Sequence, residues 1–177
     1  MNDQLRAPKL AREGFDLWQS GRLAEAVPRY IEALKSADPD HYALPDYHGE
    51  FAAVLEALGN NAEAREQLEL AAQVQRHLDG NDCSIGVTTA RYFLADHLLR
   101  HGEPEQVLDV ISPSLAVVPQ SEWLLRLVQA QALHALSRTA EARWAAQRAL
   151  EAAPSDQKRV EIRAGFEGTG LLGAGDA

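Results

Sequence analysis

A chain of 177 residues is long enough for one domain or one short solenoid with a substantial buried core. Its 17 Lys and Arg against 26 Asp and Glu leave a formal net charge of −9, which argues against nucleic acid as a partner because phosphate binding needs a basic face. The single cysteine, Cys83, cannot close an internal disulfide and fits a reducing compartment. No apolar run follows Met1 to Arg6, so neither a secretory signal nor a membrane span is visible and a cytoplasmic location is expected.

Alanine and leucine dominate and β-branched residues cluster nowhere, so an all-α fold is expected. The first helix is predicted from Pro8 to Ser20, with Gly21 as its stop. Its partner runs from Leu23 to Ala37, kinked or delayed by Pro28, and ends before Asp38-Pro39-Asp40. A second pair is predicted from Asp46 to Leu58 and from Ala62 to Leu78, closed by the loop signal Gly80-Asn81-Asp82. Then come a helix from Ile85 to His101 and a shorter one from Pro104 to Val110, broken by Ser112-Pro113. The last pair is predicted from Ser121 to Leu136 and from Thr139 to Ala152, followed by a capping helix from Ser155 to Ala164. Residues 1–164 are expected to form one domain. The remainder, 165–177, contains five glycines and is expected to be a flexible tail, cut first by proteases, with the 79–84 loop next.

One spacing recurs four times. Anchored on Gly21, Gly59, Gly102 and Ser137, it places Gly14, Ala52, Ala95 and Ala130 seven residues earlier and Ala26, Ala64, Val107 and Ala142 five residues later. Nine after the anchors come Tyr30, Leu68, Ile111 and Ala146, and twelve after come Ala33, Ala71, Ser114 and Ala149. The pattern reads as a helix, a tight turn and a second antiparallel helix, with small residues where the two backbones approach.

This repeat resembles the tetratricopeptide repeat (TPR) family, most closely in its first copy, Gly14, Gly21, Ala26, Tyr30, Ala33, Leu34 and Pro39. The anchors stand 38, 43 and 35 residues apart, so the middle copies look like the extended repeats of kinesin light chains. The resemblance implies a right-handed α-solenoid of four helical pairs plus a cap, and a binding scaffold with no catalysis. It also implies a concave face lined by the first helix of each pair. On that face the partner-binding residues would be Phe15, Trp18, Asp46, Glu50, Glu56, Tyr92, Asp96, Gln131 and His134. The family's chaperone-tail clamp is disfavoured, because Ala11, Phe15, Glu50, Thr89 and Phe93 stand where it needs donors to a carboxylate.

Residues 36–82 hold ten acidic side chains against Arg65 and Arg76, whereas the sequence from 121 onward is balanced at seven of each sign. A basic protein or peptide is the expected partner, with the aromatic rings as apolar anchors. An adaptor or chaperone, or an immunity protein that neutralises a basic toxin, fits this description. A self-assembling solenoid, dimerising through exposed Leu171-Leu172 or Val117-Val118, is the alternative. His97 and His101 are four apart on one helix but lack a third ligand. No phosphate loop, nucleophile elbow or paired-cysteine motif appears, so neither catalysis nor a cofactor is expected.

Overall fold

All four repeat anchors adopt the left-handed backbone conformation, with φ of 77° at Gly21, 81° at Gly59, 77° at Gly102 and 59° at Ser137. At each, the anchor N–H bonds back three residues and the next N–H bonds back five: Gly21 to Trp18 and Arg22 to Leu17, both 2.9 Å, and Ser137 to His134 and Arg138 to Leu133, also 2.9 Å. This Schellman geometry satisfies the last carbonyls of one helix and reverses the chain into the next. Glycine accepts the conformation freely. Ser137 pays a steric cost for it.

The structure, a computed structural model, describes residues 5–172. Those residues form nine helices and no strand: α1 Arg6–Gln19, α2 Leu23–Ser36, α3 Leu44–Ala57, α4 Asn61–Asp79, α5 Ile85–Arg100, α6 Pro104–Leu115, α7 Glu122–Ala135, α8 Thr139–Glu151 and α9 Asp156–Gly168. The helices pack as hairpins α1/α2, α3/α4, α5/α6 and α7/α8, with α9 against α8. The chain divides into two compact units, one holding α1–α4 and ending at Gly80, the other beginning at Asn81 and holding α5–α9. None of the described helices is long and apolar enough to cross a membrane.

Every one of the sixteen residues in the four-fold spacing is buried, so the sequence register and the packing register coincide. Ala26, Ala64, Val107 and Tyr30 are fully enclosed, and so is Ser114, the polar member of the set. The Arg91 guanidinium hydrogen-bonds the Ser114 hydroxyl and also donates to Asp82 at 2.6 Å, which satisfies that buried hydroxyl.

Several boundaries differ from expectation. Helix α6 runs through Pro113 to Leu115 instead of breaking at Ser112. The missing proline N–H would have bonded the Asp109 carbonyl, and the Ser112 hydroxyl donates to that oxygen instead, at 3.3 Å. Helix α2 is likewise continuous through Pro28. The 79–84 loop is pinned: Asn81 Oδ1 accepts from the Cys83 and Ser84 amides at 3.0 and 2.8 Å, and the Cys83 carbonyl accepts from the Gln120 amide at 2.9 Å. Ser84 then caps α5 through the Val87 amide.

The flexible tail expected over 165–177 is corrected over its first part. Helix α9 continues to Gly168, and Gly170, with φ 71°, ends it in a fifth Schellman turn that directs Leu171 and Leu172 into the core around Phe166, Leu133 and Leu150. The rest of the expected tail, 173–177, lies outside the described residues. Burial of Leu171 and Leu172, 3% and 7% exposed, removes them as the apolar end surface for self-assembly.

Candidate functional site

In the unit ending at Gly80, Tyr30 of α2 lies flat across α1 because Gly14 has no side chain; a Cβ there would stand 2.9 Å from the ring. The ring stacks on Phe51 at 5.8 Å, and its hydroxyl donates to Glu50 at 3.0 Å. Glu50 thus satisfies a buried phenol instead of presenting an uncommitted carboxylate. Asp46, one turn earlier on α3, is exposed, and Glu56 is half-buried in the last turn. Beside Gly14 on α1, Phe15 and Trp18 are both half-buried and meet edge to face at 5.7 Å. Arg12, absent from the sequence-predicted set, has its guanidinium 5.8 Å from the Phe15 ring and pairs with Asp16 at 3.2 Å.

Burial raises the Glu50 carboxyl above the ordinary range, with Asp46 adding to the rise while the Tyr30 hydrogen bond and Arg12 oppose it. The folded state therefore holds that proton more tightly than the unfolded chain. Its contribution is fully present below the unfolded value and is lost as pH rises through the folded one. Urea unfolding across that acidic window should show this loss in the native protein and not in Glu50→Gln. Tyr30→Phe should move the Glu50 titration, followed by NMR, to higher pH. A lower midpoint in that variant would mean the hydroxyl does not stabilise the carboxylate.

In the unit beginning at Asn81, Tyr92 and Asp96 lie one turn apart on α5. Tyr92 meets Phe93 edge to face at 5.5 Å, and Asp96 pairs with Arg100 at 3.0 Å. The Tyr92 hydroxyl is pushed up chiefly by burial and then by Asp96, against the pull of Arg100 and Lys158. Lys158 of α9 also stands 5.8 Å from the Trp123 ring of α7. Neither Trp123 nor Lys158 was among the predicted residues, because the cap that carries the lysine follows no repeat spacing. Gln131 is half-buried and His134 exposed on α7. The structure therefore gathers Phe15 with Trp18, Asp46 with Glu50, and Tyr92 with Asp96.

Partly exposed rings beside carboxylates suit recognition by charge and apolar contact. The His97 ring is buried and touches that of His101 at 4.4 Å. Among the described residues no group of three or more His, Cys, Asp or Glu side chains is placed to hold a metal.

Hairpins joined by left-handed turns, with small residues at the helix contacts, define the class: the chain has the fold of the TPR-like repeat proteins. It is similar to nearly identical TPR-like repeats assigned to a kinesin light chain of Podosopora anserina, at 17% identity and a TM-score of 0.68 over 96% of this chain and 90% of that one. It is also similar to MamA of Desulfovibrio magneticus RS-1, at 14% identity and a TM-score of 0.65 over 97% and 98% of the two chains. No protein-family model and no curated protein matches the sequence.

Proposed function

We propose that this chain is a non-catalytic scaffold that binds a basic protein segment, with the α1/α3 face of the first unit as its principal contact. The observation that carries the reading is the edge-to-face pair of Phe15 and Trp18, both partly buried, in a unit holding 14 acidic and 8 basic residues. Partly exposed aromatics supply anchoring area, and the surrounding negative charge steers and registers Lys or Arg. Asp46 and Glu56 are the acids assigned to contact, while Glu50 supports the site through Tyr30. Tyr92, Asp96, Gln131 and His134 form a subsidiary surface on the second unit. An adaptor, a chaperone or an immunity protein acting on a basic toxin would each work through this chemistry, in the cytoplasm.

The test is selection of binders from a random peptide display library. The expected winners combine Lys or Arg with an apolar side chain. Their association should slow with Asp46→Lys and become less sensitive to salt, and their dissociation should speed up with Trp18→Ala, melting temperatures being recorded for both variants. Acidic or neutral winners, or basic ones indifferent to both changes in folded protein, would overturn the reading.

A further inference from the structure

Residues of α6, α7 and α8 line an open groove of about 740 Å³. Its floor is apolar, formed by Leu108, Ile111, Leu115 and Leu133. Along one edge α6 contributes Asp109 and Ser112, and the start of α8 adds Glu141, paired with Arg138 at 2.6 Å. Along the other stands Trp144, 53% exposed, its inner face covered by the Arg126 guanidinium 4.6 Å from the ring. Arg126 is itself held by Glu122 and Gln129, each at 2.8 Å, so the indole rests on a fixed base.

The outward stripe of α8 comprises Ala140, Arg143, Trp144 and Gln147, all exposed. It offers a small residue, a large ring and a cation, and the groove beside it offers room, an apolar floor and the Asp109 carboxylate on its α6 edge. Neither Arg143 nor Asp109 has a charged side-chain partner among the described residues. We propose that the occupant of this groove is the α8 stripe of a second copy of the chain. Trp144 of each copy fills the other's groove and Arg143 of each faces the other's Asp109. Stripe and groove share one patch, so a single two-fold axis satisfies both contacts and closes the assembly as a dimer. The charge distribution favours this half: residues 104–177, which span both edges of the groove, hold nine acidic and seven basic side chains, whereas contact through the 36–82 region, with ten against two, would bring like charges together. The inference is independent of the peptide-binding face.

Sedimentation equilibrium of the full chain over micromolar to millimolar concentration tests it. The mass should rise from one chain to two. Trp144→Ala should shift the midpoint to at least tenfold higher concentration, with circular dichroism recorded because loss of the ring also uncovers Arg126. Arg143→Asp and Asp109→Lys are exposed changes expected to leave the fold intact, and each alone should weaken the dimer. Combined, they restore opposite charges across the axis and should recover association. A chain that stays monomeric throughout overturns the proposal, as does a dimer insensitive to Trp144→Ala or one whose charge exchange gives no recovery.

Discussion

Ending the chain after Ala164, or replacing Phe166 with Ala, is expected to cost about 3–5 kcal/mol of unfolding free energy, the range for emptying a fully buried aromatic site. Phe166 is 1% exposed and shares its core with Ile162, Leu150, Leu171 and Leu172. The truncation removes the ring and both leucines together and uncovers the buried side of α7 and α8 around Leu133, Ala146 and Leu150, so it should be at least as damaging as the point change. Val160, 63% exposed on the same helix, supplies the control, and its replacement by Ala should cost less than about 0.5 kcal/mol. Urea unfolding with a constant slope would measure all three. A truncated chain as stable as the whole would mean that residues 165–172 do not seal this core.

Arg91→Leu is expected to cost about 2–3 kcal/mol, somewhat below the 3–5 kcal/mol for breaking a fully buried ion pair. The discount follows from solvent access, since the two side chains of the Arg91–Asp82 pair retain 13% and 25% of their exposure. The loss has two sources: Asp82 is deprived of its counter-ion, and the hydroxyl of the fully buried Ser114 loses its guanidinium partner. Arg91 joins the 79–84 loop, α5 and the end of α6, so amide hydrogen exchange around Cys83 and Ser114 should quicken in the variant. The double variant Arg91→Leu with Ser114→Ala should cost less than the two single changes added together, because both remove one interaction. Strict additivity would show that the Arg91–Ser114 contact contributes nothing.

The four hairpins were legible in the sequence because their cause is local. A left-handed turn wants glycine, close helix contacts want alanine, and both recur at a spacing that the chain displays without reference to its fold. The same logic, carried one step further, would have found the end of α9. Gly170 followed by Leu171 is a turn glycine with an apolar residue behind it, but the glycines around it gave that stretch the composition of a loose tail. Glu50 was legible as an acid on the predicted face. Its commitment to Tyr30 was not, because the bond spans twenty residues and depends on Gly14 leaving room for the ring.

Sequence alone determined the all-α repeat, the turn positions and the buried register, since each follows from backbone preference or side-chain size at a fixed offset. Tertiary structure decided what the polar groups do. It set Arg91 on Ser114, carried α6 past Pro113 with a serine hydroxyl, brought Lys158 of the cap beside Trp123 and left Trp144 exposed over Arg126. Burial of small apolar residues has a period that a sequence can show. Hydrogen bonds and ion pairs between helices have partners, and only packing brings partners together.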